Sequence, residues 1–486
     1  MYLGIDLGTS AVKALLVEAD GTIVDSRSVA LSVSRPNPGW SEQDPESWWQ
    51  AADAAVKALA AARKAEMAKV QGIGLSGQMH GLTALDAGGD VIRPAILWND
   101  TRAARQAERM DAELHAFRLI GGNAVMPGFT APKAVWMREE EPELFAGIRT
   151  ILLPKDYLRF RMSGDHVSEM SDSAGTLWLD VAARDWSDEL LALCGLSREQ
   201  MPRLVEGSAP AGNLRAELAA EWGIEGRPLI AGGGGDNAAA AVGLGAVRAG
   251  DGFCSLGTSG VVFTVTDSFA PAAASGAHAF CHAVPDSWHQ MGVVLAASDC
   301  VSWLCEIAGV EVETLMAELE QADNRSADLM FHPYLSGERT PHNDADARGA
   351  FFGLARHHAR ADMTRAVLQG VAFAIADATA VLREAGGAPE MMLATGGGAR
   401  NDLWLSYIAA TTDVPIAVPE DGDFGAALGA ARLAMMADGM AMDDVCHKPA
   451  TRAVITPDRA LADALTPAYR RWREIYHLLR QQDVRP

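Results

Sequence analysis

The feature that most restricts the fold of this chain is a short turn that occurs twice. Residues 6–10 read DLGTS and residues 255–260 read SLGTSG, and each turn lies between two apolar segments that read as β-strands. In both halves a helix follows, and after it a strand that runs into glycines, at 69–77 and at 391–398. A single repeated turn can arise by chance, but the repeated order of elements favours duplication of one α/β unit.

The length of 486 residues exceeds what a single hydrophobic core supports. We therefore predict two α/β domains, residues 1–245 and 246–486, with a cleft between them. Because no linker rich in serine or proline marks the boundary, the halves are expected to hinge around that cleft. The predicted elements are strands at 2–6, 12–17, 22–33, 69–75, 91–98, 229–231 and 391–395, a mainly helical region at 101–225, and helices at 44–64 and 361–385.

Two facing turns of this kind suit a nucleoside triphosphate, because each can present backbone N–H groups and hydroxyls to phosphate oxygens. Asp6 precedes the first turn and could hold Mg²⁺ through water, whereas Ser255 stands in the matching place of the second. The alternative is two hairpin turns capped by their own hydroxyls. The residues predicted to bind the nucleotide here are Gly8, Thr9, Ser10 and Lys13 in the first half and Gly257, Thr258 and Ser259 in the second.

Asp236 lies where an apolar strand, four glycines and a run of alanines meet, in the sequence AGGGGDNAAAAVG at 231–243. A strand-to-helix turn presents N–H groups and favours anionic ligands, and glycines let a ligand approach the backbone. Asp236 is therefore a candidate general base for phosphoryl transfer and, with Asp6, a candidate metal ligand. The alternative is an ordinary N-cap in a glycine-rich turn.

A second glycine-bearing turn, at 396–401, follows a strand and opens a helix. Its glycines would let a flat adenosine lie against the backbone, although a plain strand-to-helix turn is equally compatible with this pattern. The predicted adenosine-binding residues are Gly396, Gly397, Gly398 and Asn401.

Polar side chains follow two further strands of the first half and are expected to project into the cleft. Histidine and amide groups can hydrogen-bond several hydroxyls at once, as recognition of a polyol requires. Trp40 is interpreted as either a cleft wall or a core residue. The predicted acceptor-binding residues are Trp40, Gln78, Met79, His80, Asn99, Asp236 and Asn237.

Composition excludes several classes of function. A net charge of −22 argues against nucleic acid or an anionic membrane as a partner. The N-terminus does not read as a signal peptide, and no apolar run is judged long enough to span a membrane. Six cysteines without a CxxC pair are typical of a cytoplasmic protein. There is no Walker A loop or HExxH motif, and GIGLSG at 72–77 is a weak dinucleotide match because strand is expected after it.

Taken together, these segments resemble the FGGY family of sugar kinases over residues 1–480. Ala134 departs from the family pattern, where a larger apolar residue is usual, and Met79-His80 departs from the Arg-Glu pair of glycerol kinases. The resemblance is carried by GIDLGTSAVKALL, GWSEQDPESWW, GQMHG, LWNDTR, GFTAPKAVW, LLPKDYL, GGGGDNAAAAVG, SLGTSG, PYLSGERTPH and GAFFGLARHHARADMTRAVLQG.

The resemblance implies two ribonuclease-H-like domains of the actin and hexokinase type around a central cleft, often in a homodimer. It also implies that Asp236 is the base, that Met79 and His80 contact a ketose, and that the Asp6 turn handles Mg²⁺ and the transferred phosphate. The expected reaction is ATP-dependent phosphorylation of D-xylulose. Alternatives are another acceptor, such as ribulose, a deoxyketose or gluconate, or a nucleotide-driven binding protein like actin or the chaperones.

Overall fold

A computed structural model describes residues 1–322, 328–420 and 425–481 of the chain. Each half contributes one large mixed β-sheet with helices packed against it. The last residues of the predicted second domain, 482–486, lie outside the described residues.

The elements of the first half begin at the N-terminus and end at the alanine-rich helix after Gly235. Its strands are β1 (Tyr2–Leu7), β2 (Ala11–Val17), β3 (Ile23–Ala30), β4 (Glu42–Gln43), β5 (Gly72–Gly77), β6 (Thr83–Leu85), β7 (Ala95–Ile96), β8 (Thr150–Leu152), β9 (Val167–Glu169), β10 (Leu179–Asp180), β11 (Asp185–Trp186), β12 (Arg203–Val205), β13 (Pro210–Asn213), β14 (Leu229–Ala231) and β15 (Gly234–Gly235). Its helices are α1 (Pro45–Ala62), α2 (Lys64–Met67), α3 (Ala104–Glu113), α4 (Ala116–Leu119), α5 (Thr130–Glu140), α6 (Pro142–Gly147), α7 (Pro154–Ser163), α8 (Met170–Ala174), α9 (Asp188–Leu193), α10 (Ala216–Trp222) and α11 (Asp236–Gly243).

The second half starts with the strand that leads into the second LGTS turn. Its strands are β16 (Asp251–Leu256), β17 (Gly260–Thr266), β18 (His278–Cys281), β19 (Trp288–Val294), β20 (Met330–His332), β21 (Ala350–Phe352), β22 (Met391–Thr395), β23 (Ile416–Pro419) and β24 (Thr451–Ile455). Its helices are α12 (Ser298–Ala308), α13 (Val312–Gln321), α14 (Arg360–Glu384), α15 (Asp402–Thr412), α16 (Ala426–Ala437), α17 (Met442–Val445) and α18 (Arg459–Gln481).

The two large sheets share one topology. The first has the strand order β3-β2-β1-β5-β14-β13, and the second contains the order β19-β17-β16-β22-β23-β24. In each, three antiparallel strands are followed by two parallel pairings and a final antiparallel strand. This repeated arrangement confirms the predicted pair of ribonuclease-H-like folds.

The register of the parallel strands brings the predicted site to one edge of each sheet. Asp6 on β1 lies beside Ser76 on β5, and Gly235 on β15 lies beside Gly77. In the second half, Ser255 on β16 lies beside Thr395 on β22. Ligands of open α/β sheets bind outside the carboxyl ends of parallel strands, which is where these residues lie.

The start of helix α1 shows why the predicted boundary was accurate. The Asp44 carboxylate accepts a hydrogen bond of 3.0 Å from the Glu46 backbone N–H, and Pro45 occupies the first helical position. Proline there loses no hydrogen bond, because the first N–H groups of a helix have no internal partner. Helix α1 ends at Ala62, two residues before the predicted end.

Two sequence expectations about the first half are wrong. The strand predicted at 91–98 is reduced to Ala95–Ile96, since Pro94 has no N–H to donate and its ring fixes the local backbone. The region 101–225 is not mainly helical, because short strands between Thr150 and Asn213 alternate with its helices. These strands pair mostly with partners distant in sequence, a property that local patterns do not reveal.

Helix α14 corrects the expectation that no apolar segment is long enough to span a membrane. Its 25 residues pass that test by length and composition, with a mean hydropathy of 1.4 in the best window. That window is 94% buried inside the protein, against strands β17, β19 and β20. Helix α14 is the central core helix of the second half.

Helix α16 belongs to the second half of the sequence but packs on the first sheet. A Cβ atom on Gly4 of β1 would clash with the carbonyl oxygen of Ala427, and one on Gly74 of β5 with that of Ala430. Gly429 of α16 faces the carbonyl oxygen of Ala239 on α11 in the same way. The halves therefore share a closely packed backbone contact, and the domain boundary at 245 stays a prediction.

Candidate functional site

The first LGTS turn is held rigid by side-chain amides from outside it. Thr9 donates its hydroxyl to the Gln78 Oε1 at 2.9 Å and accepts from the Trp98 Nε1 at 3.0 Å. The Gln43 Nε2 donates to the Thr9 carbonyl oxygen at 2.8 Å and its Oε1 accepts from Gln78. Gln78 was predicted to contact the acceptor, but in this structure it positions the turn. Gln43 was not predicted, because only the tertiary fold brings β4 next to the turn.

The second LGTS turn is fixed by the start of helix α12. The backbone N–H of Ala297 donates to the Thr258 carbonyl oxygen at 2.8 Å, and that of Ser298 donates to the Gly257 carbonyl oxygen at 2.9 Å. These bonds direct the carbonyl groups of Gly257 and Thr258 toward helix α12, away from the open side of the turn. Within the described ranges no hydrogen bond uses the N–H of Thr258 or Ser259, so both can donate to a ligand.

The glycines at 396–398 lie directly against the second turn. Gly396 has φ +84°, and a Cβ atom there would lie 2.7 Å from the carbonyl carbon of Leu256. A Cβ atom on Gly398 would lie 2.8 Å from the Leu256 side chain. The Asn401 side chain accepts a bond of 2.8 Å from the Trp404 N–H and so caps helix α15. The structure therefore joins the two predicted nucleotide segments into one surface.

Replacing Gly396 with alanine is expected to weaken ATP binding, because the new methyl group would push apart the two nucleotide segments. Gly386 is a matched control: its φ is also +84°, but nothing lies within 4 Å of a Cβ atom there. Both variants carry the left-handed backbone strain of about 1 kcal/mol, so only the clash distinguishes them. We expect the KM for ATP to rise at least tenfold in Gly396→Ala alone. Equal effects in both variants would contradict a close contact at 396.

Asp236 begins helix α11, beside the first turn. Its Oδ1 accepts from the Asn237 backbone N–H at 2.7 Å and from the Asn237 Nδ2 at 3.0 Å. Asp6 accepts from the Ser76 hydroxyl at 2.6 Å. Burial, and then the nearby Asp6 carboxylate, raise the pKa of Asp236 to about 6, and burial also raises the pKa of Asp6. A carboxylate with a pKa near 6 is largely ionised at neutral pH and is basic enough to accept a proton.

Three cavities run one after another through the predicted cleft. The smallest, of about 340 Å³, is lined by Met79, His80, Asp236, Asn237 and Ser255, among others. Asn237 and Ser255 also line the next cavity, of about 750 Å³, and so connect the two. Arg400 lines the latter and a third cavity, of about 610 Å³, beside Gly397, Gly398 and Asn401. Asp236 therefore lies on the side of the smallest cavity that opens toward the nucleotide segments.

His80 is held in a strained backbone conformation inside the smallest cavity. Its φ is +68°, which is rare for a residue with a Cβ atom. The Lys133 Nζ, at 2.8 Å, and the Thr130 hydroxyl, at 3.1 Å, both donate to the His80 carbonyl oxygen. The His80 Nδ1 lies 2.7 Å from the Gly175 carbonyl oxygen, so this nitrogen carries the proton. Burial lowers the pKa of His80 to about 3, and its neutral ring keeps Nε2 as an acceptor.

The opposite wall of this cavity comes from the second half of the chain. The rings of Phe129 and His278 are 5.7 Å apart, and those of His278 and Phe280 are 5.5 Å apart. His278, Phe280, Met291, Val293 and Arg339 all line the cavity. None of these second-half residues was predicted, since nothing local in the sequence shows that strands β18 and β19 face His80.

Comparison with known proteins identifies the family of the chain. The N-terminal domain of the FGGY family of carbohydrate kinases matches residues 1–243, and the C-terminal domain of that family matches residues 252–437. The chain belongs to the FGGY family of carbohydrate kinases. This FGGY kinase is 50% identical over 438 residues to the xylulose kinase of Escherichia coli strain K12, covering 90% of each chain.

Solved structures agree with this assignment. The crystal structure of a xyloylose kinase from Brucella ovis superimposes with a TM-score of 0.97 at 52% identity, over 99% of this chain and 100% of that one. The xylulose kinase of Rhodospirillum rubrum superimposes with a TM-score of 0.91 at 29% identity, over 99% of each chain. The FGGY kinase is thus an enzyme that uses a sugar and ATP.

A buried charge network supports the glycines in front of Asp236. The Lys155 Nζ lies 2.7 Å from the Asp156 carboxylate, 3.3 Å from Glu169 and 3.2 Å from Asp172, and all four side chains are fully buried. Arg159 bonds both Asp156 and the Gly232 carbonyl oxygen. Burial raises the pKa of Asp172 well above its usual range, so Asp172 is neutral. The cations of Lys155 and Arg159 then face the carboxylates of Asp156 and Glu169.

The same network reaches the turn at its far end. The Ser171 hydroxyl accepts a hydrogen bond of 3.0 Å from the Gly235 N–H and also bonds the Glu169 carboxylate. Arg159 at Gly232 and Ser171 at Gly235 therefore hold both ends of the glycine segment. Asp156 of the LLPKDYL motif bonds Arg159, so the motif supports the backbone that presents Asp236 through that side chain.

Three predicted site residues, Trp40, Asn99 and Lys13, do not line the smallest cavity. The Trp40 ring stacks on the Arg102 guanidinium at 3.6 Å, and Asn99 is exposed; neither residue lines the cavity. Lys13 on β2 is the antiparallel partner of Asp6, and burial lowers its pKa. Trp98, next to Asn99, does line the cavity.

Proposed function

We propose that this FGGY kinase phosphorylates D-xylulose at its terminal hydroxyl, giving D-xylulose 5-phosphate and ADP. The observation that carries the proposal is the position of Asp236 between the small cavity and the nucleotide segments. The 50% identity to a xylulose kinase and the presence of Met79 and His80 in the cavity support the choice of acceptor.

In the proposed reaction the acceptor hydroxyl lies against Asp236, with ATP extending through the two larger cavities. The hydroxyl oxygen forms a bond to the γ-phosphorus, the bond from that phosphorus to the β,γ-bridging oxygen breaks, and the hydroxyl proton passes to the Asp236 carboxylate. The N–H groups of Thr258 and Ser259 stabilise the charge of the transferred phosphoryl group. The residues proposed at the nucleotide are those of the two turns and of 396–401.

The donor set at Asp6 and Asp236 fits Mg²⁺. Within the described ranges no three His, Cys, Asp or Glu residues cluster closely enough to hold a metal by themselves. Mg²⁺ commonly binds through one or two carboxylates together with substrate phosphates, which matches two half-buried carboxylates beside the proposed phosphate-binding turn. When bound, the ion would neutralise phosphate charge, and it would relieve the repulsion between Asp6 and Asp236.

The acceptor is tested with a panel of ketoses, polyols and gluconate, each assayed for ADP release by a coupled assay. We expect D-xylulose to have the highest kcat/KM. A higher value for ribulose, a deoxyketose or gluconate would overturn the proposed acceptor while leaving the kinase assignment intact. ATP hydrolysis that no sugar stimulates would instead favour a nucleotide-driven binding function.

Removing the Asn237 amide is expected to shift the pH dependence of this reaction. The Asn237 Nδ2 stabilises the ionised form of Asp236, so Asn237→Ala should raise the pKa of Asp236 above its value of about 6. Activity requires the ionised carboxylate, so the acid limb of kcat/KM for D-xylulose should move to higher pH. Asn99→Ala, at an exposed residue of the same type, is the control. An unmoved acid limb in Asn237→Ala would show that another group controls it.

A further inference from the structure

One end of the small cavity carries a carboxylate and the other end carries a guanidinium. Asp236 and Asn237 line the end that opens toward the nucleotide cavity. The other end brings together Arg339 and the imidazoles of His80 and His278, and burial, with a smaller contribution from the charge of Arg339, lowers the pKa of both imidazoles.

The charge of Arg339 interacts with that of the adjacent Glu338, but no described residue hydrogen-bonds its guanidinium. Within residues 1–322, 328–420 and 425–481, no hydrogen bond or ion pair of 4.0 Å or less engages its side-chain nitrogens, although burial lowers its pKa. A half-buried cation without a hydrogen-bond partner is costly, so such a group is expected to meet a ligand oxygen. The cavity lining at this end supplies no carboxylate to pair with it.

The backbone on both sides of Arg339 is fixed to strand β19 and to Leu295, the residue after it. The Glu338 carboxylate accepts from the Leu295 N–H at 3.0 Å and from the Arg339 N–H at 2.7 Å. The Thr340 N–H donates to the Val293 carbonyl oxygen at 3.0 Å, and the Val293 N–H donates to the Thr340 hydroxyl at 3.0 Å. Arg339 is therefore carried by a pre-organised segment of the second half.

We propose that Arg339 and His80 together recognise the hydroxyketone end of the acceptor, Arg339 donating to the carbonyl oxygen and the His80 Nε2 accepting from the neighbouring hydroxyl. This inference rests on the proposed function, in which the opposite end of the ketose is phosphorylated at Asp236. A guanidinium only donates hydrogen bonds and an unprotonated imidazole nitrogen only accepts them, so the pair matches a carbonyl beside a hydroxyl. Arg339 is thus a specificity residue that the nucleotide-binding half contributes to the sugar site.

The consequence is that the acceptor bridges the two halves of the chain. Asp236, Met79 and His80 belong to the first half, whereas Arg339 belongs to the second. A bound ketose therefore draws the second half toward the first, which is the direction that brings the nucleotide toward Asp236. An acceptor without a carbonyl would lose part of this contact.

The test compares D-xylulose with xylitol, in which a hydroxyl replaces the carbonyl, in the wild type, Arg339→Met and Arg339→Lys. Losing a charged hydrogen bond should lower kcat/KM for D-xylulose roughly ten- to 150-fold, mainly through KM. The ratio of kcat/KM for D-xylulose to that for xylitol should fall at least fivefold in both variants. The KM for ATP should stay within twofold. Arg348→Met, at an exposed arginine of the same loop, is the control.

Each of the following outcomes would count against the proposal. An unchanged ketose-to-polyol ratio would show that Arg339 only supports the fold, and a raised KM for ATP would assign it to the nucleotide. A loss confined to kcat would place it at the transferred phosphate. Wild-type enzyme that does not phosphorylate D-xylulose would overturn the proposed function itself, independently of either Arg339 variant.

Discussion

Replacing Asp236 with asparagine is expected to produce a protein that is nearly inactive but more stable than the wild type. An asparagine cannot accept the hydroxyl proton, and loss of general-base help lowers turnover by roughly 10²- to 10⁴-fold. The nucleotide segments around residues 257–259 and 396–401 do not depend on this carboxylate, so ATP binding should persist. Coupled ADP release and calorimetric titration of ATP measure the two effects separately.

The gain in stability follows from the raised pKa of Asp236. A folded-state pKa of about 6, against 3.8 in the unfolded chain, means that folding disfavours the ionised form by up to about 3 kcal/mol. This destabilising contribution is fully present above pH 6, falls progressively as the pH drops from about 6 to about 4, and is absent below that. Asp236→Asn removes it, so the melting temperature of the ligand-free variant should exceed that of the wild type at pH 8, with a smaller difference at pH 5.

Asp86→Asn, in an exposed turn of the first half, is the control for both measurements. It should change neither turnover nor melting temperature appreciably. Turnover of Asp236→Asn within tenfold of wild type would exclude the general-base role. A lower melting temperature at pH 8 would instead show that the Asp236 carboxylate stabilises the ligand-free fold.

Replacing Lys155 with methionine is expected to cause the largest loss of stability of any single change described above. Its ammonium group is fully buried and faces Asp156, Glu169 and Asp172 within 3.3 Å. Without that cation, buried carboxylates lose their compensating charge, and breaking a buried pair in this way costs about 3–5 kcal/mol. The free energy of unfolding, or the melting temperature if unfolding is irreversible, measures the effect.

Lys57→Met offers a matched control on the protein surface. Lys57 also pairs with two carboxylates, of Asp53 at 2.8 Å and Glu221 at 3.0 Å, but its side chain is 45% exposed. Surface ion pairs of this kind contribute about 0–1 kcal/mol. Similar losses in Lys155→Met and Lys57→Met would contradict the view that burial makes the Lys155 network costly to disrupt.

The parts of the fold and site that were predicted from sequence are those with a local signature. The two LGTS turns, the glycines before Asp236 and the Asp44-Pro45 helix start each carry their information within a few neighbouring residues. Their repetition in order was enough to predict two copies of one α/β fold. The roles of individual residues at these turns remain predictions that the variants above test.

The far side of the acceptor cavity could not be predicted, because it is assembled from distant segments. Arg339 and His278 meet His80 only after the second sheet has packed against the first half. Gln78 was assigned to the acceptor because it follows a strand beside Met79, but its amide bonds Thr9 and Gln43 instead. A sequence pattern identifies the end of a strand but does not show which way each side chain there points.

The seam formed by Gly4, Gly74 and Gly429 has a consequence for recombination between related kinases. At these positions main-chain atoms of one half fit directly against main-chain atoms of the other, leaving no side chains that could adjust to a foreign partner. A chimaera that joins the sugar half of this enzyme to the nucleotide half of a relative must therefore inherit both sides of the seam together. We therefore expect that exchanging the loop of Arg339, the proposed specificity residue, disturbs the fold less than exchanging whole halves.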